Sequence, residues 1–211
     1  MAKLIPLGEA VTQGEQRTLN YLQKKLPMDW VIFGNVQVTT GELTREIDAI
    51  IIGDRCVWLV DEKGFTGIIT GDEHIWIFED GSARERVLNN ILHAAKMVKG
   101  KLAAMDPRLS SIWVEGVIIL SSPDVQVKVN DSRIHDHVCK LAGCEVFFHQ
   151  RSCQGKSLSH PQRELIQSLI AGERVVTRLK GRLQKIGHYT LLEKMAVGPV
   201  IQTFRAAREK F

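Results

Sequence analysis

Cysteine is scarce: Cys56, Cys139, Cys144 and Cys153 are the four in 211 residues, too few for a disulfide framework. Long apolar runs are missing too. No stretch approaches the roughly 20 residues that cross a bilayer, and the opening Met1-Ala2-Lys3-Leu4-Ile5-Pro6 lacks the apolar core of a secretory signal. These absences speak against a membrane partner and predict a cytoplasmic location. There is no Walker-type glycine loop and no Gly-x-Ser-x-Gly elbow, so neither P-loop nor serine-hydrolase chemistry has its usual frame. His135, His137, Cys139, Cys144, His149 and Cys153 crowd together but contain no Cys-x-x-Cys pair. A zinc site is therefore not expected; Cys139 is predicted in a helix and Cys144 at a strand edge, as buried thiols. Internal repeats and low-complexity segments are absent.

What is present divides unevenly. Residues 1–150 carry 16 Lys/Arg against 20 Asp/Glu, and residues 151–211 carry 12 against 4, so a net −4 is followed by a net +8. Two units are expected: a domain over residues 1–150, and a basic helical extension over 151–211 that could link into a second domain. A basic segment after an acidic domain suits attraction to phosphates, and equally suits a solvated helix.

Gly14 to Leu26 has the leucine spacing of a helix ended by Pro27. Trp30 to Thr39 alternates as a strand, and Gly67 to Phe78 reads as a strand pair broken at Gly71-Asp72-Glu73. Arg86 to Met105 is an amphipathic helix whose polar face carries Arg86, Asn90, His93, Lys96 and Lys99. Val114 to Leu120 is apolar enough to be buried on both faces of a sheet. Val125 to Val129, a helix from about Arg133 to Leu141, and Glu145 to His149 continue an α/β alternation. Pro161 to Ala171 is a further helix, and Arg174 to Ile186 a separate basic one with Arg174, Arg178 and Arg182 at helical steps. Residues 188–208 read as a small hairpin; Tyr189-Thr190-Leu191, Gly198, Phe204 and Ala206 also resemble, more weakly and without its glycine loop, the opening of a protein-kinase small lobe.

The segment carrying chemistry runs from Glu46 to Gly64. If Gly53-Asp54-Arg55-Cys56 is a turn, Ile52 pairs with Val57, and counting outward sets Asp48 opposite Asp61 and Glu46 opposite Lys63. Strand period two then puts Glu46, Asp48, Asp61 and Lys63 on one face, with Ile47, Ala49, Ile51, Trp58, Val60 and Glu62 on the other. Facing carboxylates repel unless a cation or a shared proton lies between them. Glu15, in the first turn of the first helix, is either a residue favoured by the helix dipole or an acid aimed at the same site, with Glu9 as its competitor.

Asp48 followed by Asp61-Glu62-Lys63 resembles the core of the PD-(D/E)xK nucleases. Gly14-Glu15, Glu46-Ile47-Asp48, Lys63-Gly64 and Gly67-Ile68-Ile69 with Trp76 resemble, in that order, one branch of it, the nuclease-related domain (NERD) family. The likeness covers about the first 120 residues; Asp61 stands where that family more often has glutamate. It implies an α/β fold of restriction-endonuclease-like type, a mixed central sheet flanked by helices. It also implies a nuclease that hydrolyses phosphodiesters, in DNA above RNA. Asp48, Asp61 and the backbone carbonyl of Glu62 would then hold Mg²⁺ or Mn²⁺, with Lys63 and Glu15 completing the catalytic set. Arg86, His93, Arg174, Arg178 and Arg182 are the candidate nucleic-acid contacts. The oligomeric state stays open. The competing reading is a non-catalytic nucleic-acid-binding or regulatory module of a larger kinase-containing protein.

Overall fold

The computed structural model describes residues 1–208 apart from 9, 11, 41–42, 130, 153–155, 182–184, 187–188 and 198–201; along 39, 40, 43, 44 and 172–208 it describes the backbone alone. In chain order the elements are β1 (Lys3–Pro6), α1 (Gln13–Lys25), β2 (Val31–Thr40), β3 (Leu43–Ile52), β4 (Cys56–Lys63), β5 (Ile68–Gly71), β6 (Ile75–Phe78) and β7 (Ala83–Glu85). Then come α2 (Val87–Met105), β8 (Trp113–Leu120), β9 (Gln126–Val127), α3 (Ser132–His137), β10 (Val138–Lys140), α4 (Cys144–Ser152), α5 (His160–Gly181), β11 (Lys185–Ile186), β12 (Tyr189–Val197) and β13 (Gln202–Arg208).

The central sheet has the order β1-β2-β3-β4-β8-β10. It is mixed: β2, β3 and β4 run antiparallel, whereas β4, β8 and β10 are parallel neighbours and β1 is parallel to β2. One face is covered by α1 and α4 through Leu19, Leu22, Leu26 and Phe148, and the other by α2 and α5 through Leu88, Ile91, Val98, Ile166 and Ile170. This is the α/β, restriction-endonuclease-like arrangement expected: a mixed sheet between helical layers. A second sheet has the order β7-β6-β5-β9, its strands β5 and β9 following β4 and β8 after short links. Among the described residues no helix is long and apolar enough to cross a membrane.

Local chemistry accounts for the element ends. Thr12 caps α1 by accepting the Glu15 N–H at 3.1 Å, and each buried leucine of its stripe contributes about 2 kcal/mol by leaving water. Helix α2 begins one residue later than expected because Arg86 takes a left-handed conformation, φ 58°. It crosses β8 so closely that a Cβ at Gly116 would lie 2.7 Å from the Ile91 carbonyl oxygen, so no larger residue fits there.

Several expectations are corrected. Glu145–His149 belongs to helix α4, where Cys144, Phe148 and Ser152 are buried at four-residue steps; a short apolar run does not distinguish strand from helix by its period. Cys139 is in strand β10 and Cys144 opens α4, the reverse of their expected settings. Arg174 does not start a new helix: α5 runs unbroken from His160 to Gly181, because a lone glycine such as Gly172 costs only about 1 kcal/mol in a helix interior. The basic helix does not reach Ile186, which is in β11. The terminal hairpin is present as β12 and β13.

Candidate active site

The β3–β4 hairpin has the expected register, Ile52↔Val57, Ile51↔Trp58, Ile50↔Leu59 and Ala49↔Val60. There the ladder stops. Glu62 N–H, which would bond a β3 carbonyl if pairing continued, donates instead to the Asp48 carboxylate at 2.5 Å. Lys63 Nζ donates to Asp61 Oδ1 at 2.5 Å and to the Glu62 carbonyl at 3.1 Å. The mouth between the parting strands therefore gathers one carboxylate from β3, one from β4, a main-chain carbonyl and an ammonium.

The cause of the parting lies partly in β2. Gly34 pairs with Ala49 and Val36 with Ile47, while Asn35 and Asp48 between them are skipped. Asn35 is buried with φ 54°, in the left-handed region that asparagine tolerates better than most residues. Phe33 and Val36 consequently face the same core, as do Ile47 and Ile50, so the side-chain alternation slips by one residue on both strands. Two expectations fail for this reason. Ile47 lies on the face opposite the one a strict period of two gives it, and Glu46 is paired with Gln37 at an exposed position rather than set opposite Lys63. Asp48 sits at the slip itself, which frees its carboxylate to turn toward β4. A positive-φ residue beside a cluster of acids is the kind of strain that collects at functional sites.

On β4 the alternation is regular. Val57 and Leu59 belong to the core under α2 and α5, and Trp58 and Val60 to the core under α1 and α4, which sends Asp61 and Lys63 one way and Glu62 the other. Glu62 is buried at 7% exposure and accepts a short hydrogen bond from the Ser121 hydroxyl. Its carboxylate lies against the first turn of α1: a Cβ at Gly14 would come within 2.6 Å of Glu62 Oε1. A side chain at position 14 would push that carboxylate off its Ser121 hydrogen bond, and the free N–H groups and dipole of a helix N-terminus favour an anion there. Glu62 thus fixes the start of α1, and with it Glu15.

Glu15 accepts a hydrogen bond from the Thr12 hydroxyl at 3.2 Å, a reciprocal cap, and is close enough to Asp48 for its charge to act there. Burial pushes the Asp48 carboxyl up from 3.8 to about 7. The Glu62 N–H and Lys63 oppose that rise, while Asp61 and Glu15 add to it. An acid held half-way to neutrality beside two other acids is a site with more negative charge than its own groups balance. Two carboxylates and a carbonyl are hard oxygen donors of the kind Mg²⁺ and Mn²⁺ take, with waters completing the shell. Among the described residues no group of three or more His, Cys, Asp or Glu side chains converges on one metal position.

The remaining candidates fall elsewhere. Arg86 is exposed at the start of α2, its N–H bonded to the His74 carbonyl at 2.7 Å. His93 lines a cleft of about 470 Å³ with Lys96, Trp113, Glu115 and Arg133. Trp113 pairs with Cys56 and Leu120 with Lys63, so that cleft is at the opposite end of β8 from the acids. The backbones of Arg174 and Arg178 lie in α5; their side chains, and Arg182 and Glu9 altogether, lie outside the described residues. Sequence reasoning missed Asn35 and Ser121. The Gly34-Asn35 pair inside a strand pattern is a signal for the first; Ser121, after a buried strand, carries none.

Residues 10–121 match the nuclease-related domain, NERD. The chain is also similar to a protein of Streptomyces coelicolor named "Probable kinase PglW", 24% identical over 131 residues. That alignment covers 59% of this chain and 8% of the relative. No solved structure matches.

Proposed function

Because this chain belongs to the nuclease-related domain family, we propose that it is a metal-dependent nuclease hydrolysing phosphodiester bonds, in DNA above RNA. One observation carries the reading: Asp48 leaves the β3 ladder to accept the Glu62 N–H beside the Asp61–Lys63 pair, and its carboxyl is raised to about 7 by burial and by neighbouring acids. Asp48, Asp61 and the Glu62 carbonyl would hold Mg²⁺ or Mn²⁺, which supplies Lewis acidity toward a phosphoryl oxygen and a readily ionised water. The Lys63 ammonium, fixed by Asp61 and the Glu62 carbonyl, orients the attacking water and offsets charge that develops on the phosphoryl oxygens. Glu15 reaches the same water from the helix side. Glu62 positions α1 through its carboxylate and contributes only its main chain to the chemistry.

Cleavage of plasmid and single-stranded DNA with Mg²⁺ tests this. The wild-type protein should cut, and Lys63→Ala should abolish turnover while keeping the fold, because the lysine acts on the transition state more than on bound substrate. Equal activity in Lys63→Ala, or cutting in excess chelator, would overturn the mechanism.

A second reading rests on the kinase-named relative: a regulatory or nucleic-acid-binding module joined to a kinase. Tight DNA binding with no cleavage under any divalent ion would favour it.

A further inference from the structure

The central sheet places a second basic residue in line with Lys63. Lys63 pairs with Leu120 on β8, and Leu120 pairs with Lys140 on β10. In parallel neighbours, paired residues point to the same face, so Lys63, Leu120 and Lys140 form one row at the C-terminal ends of β4, β8 and β10. Two strand spacings set the lysine Cα atoms about 10 Å apart, the axial length of about three phosphates on one nucleic-acid strand. Beside this row is a cleft of about 290 Å³ with an apolar floor of Leu120 and Ile134 and a rim of Gln126, Lys128, His135 and Lys140. No acid lines it. Its wall is tied down: the Gln126 N–H bonds the Gly67 carbonyl at 2.9 Å, and the Lys128 N–H bonds the Ile69 carbonyl at 2.8 Å.

The charge in this cleft is unspent. Lys128 and Lys140 are exposed and have no carboxylate partner among the described residues. A basic rim with no acid among the described residues that line it, in register with Lys63, matches one ligand chemistry, a run of phosphodiesters.

We infer that this cleft holds the phosphate backbone of the substrate strand beyond the scissile bond, with Lys128 and Lys140 as its phosphate contacts and His135 at its edge. The inference rests on the nuclease reading for its occupant, and it names a part of the substrate that the Asp48–Asp61 site does not touch. It implies a substrate extending about three nucleotides to one side of the cut.

The test is binding without turnover. The full chain, in chelator, is titrated against a fluorescent single-stranded oligonucleotide by anisotropy over a range of salt. Lys128→Ala/Lys140→Ala should weaken affinity and flatten the slope of log affinity against log salt by about 1.4, two contacts at about 0.7 each. Lys128→Arg/Lys140→Arg should restore both, which a fold defect would not. An unchanged slope and affinity in the double alanine variant would overturn the inference, and with cleavage intact it would leave the nuclease reading standing. A flattened slope in a protein that never cleaves would uphold the strand-binding cleft and remove only the hydrolytic reading.

Discussion

Replacing Asp48 by asparagine should stabilise the protein at alkaline pH in the absence of divalent ions. The carboxyl of Asp48 ionises near 3.8 in an unfolded chain and near 7 in the folded one. The folded state therefore holds the proton more tightly, the opposite of the usual salt-bridged carboxylate. Sign follows from linkage: below about pH 3.8 the group costs nothing, stability falls as pH rises from there to 7, and above 7 the full penalty is present. At 1.36 kcal/mol per pH unit, a rise of this size corresponds to about 4 kcal/mol at most. Asparagine carries no charge and keeps an oxygen to accept the Glu62 N–H. In a chain of this length 1 kcal/mol moves the melting temperature by about 2–4 °C. Thermal and urea melts of both proteins in chelator, at pH 5 and pH 8, should show Asp48→Asn the more stable at pH 8 and the gap narrowing at pH 5. Adding Mn²⁺ should raise the melting temperature of the wild type and not of the variant, by mass action on the folded state. A variant less stable than the wild type at pH 8, or a gap independent of pH, would refute this account of the acid cluster.

Other outcomes follow from the same contacts. Gly14→Ala should lower both stability and cleavage, since its Cβ meets the Glu62 carboxylate at 2.6 Å; adding Glu62→Ala should recover part of the stability, measured by denaturant melts. Ser121→Ala removes the donor to a buried carboxylate and should cost about 1–3 kcal/mol in the same assay. At Asn35, with φ 54°, Asn35→Gly should fold normally and Asn35→Val should be clearly destabilised, because a β-branched residue is strained in that region. Deleting residues 174–211, which hold Arg174, Arg178, Lys180, Arg182 and Lys185, should flatten the salt dependence of DNA binding; equal slopes would make this segment a solvated extension only.

Much of this site was legible because hairpin register is arithmetic. A four-residue turn and two apolar strands force Ile52 onto Val57, and everything out to Ala49 and Val60 follows. Glu62 pointing away from Asp61 and Lys63 follows from the same period. Two things did not follow. The slip at Asn35 and Asp48 depends on one backbone angle in a neighbouring strand, which no period records, and it moved Ile47 and Glu46 from their expected places. The role of Gly14 depends on a contact between a helix start and a strand end 48 positions away in sequence, which is a property of the packed fold. The helix–strand confusion at Glu145–His149 has a simpler origin: three apolar residues in a row fit either period, and only burial of Cys144 with Phe148 decides.

The central claim is that Asp48 and Asp61 share a divalent cation. Soaking crystals in Mn²⁺ and collecting anomalous diffraction tests it most directly. A peak between the two carboxylates, within bonding distance of both and of the Glu62 carbonyl, is the predicted result; at saturating Mn²⁺, no peak there, or a peak elsewhere in a protein that still cleaves DNA, would contradict it.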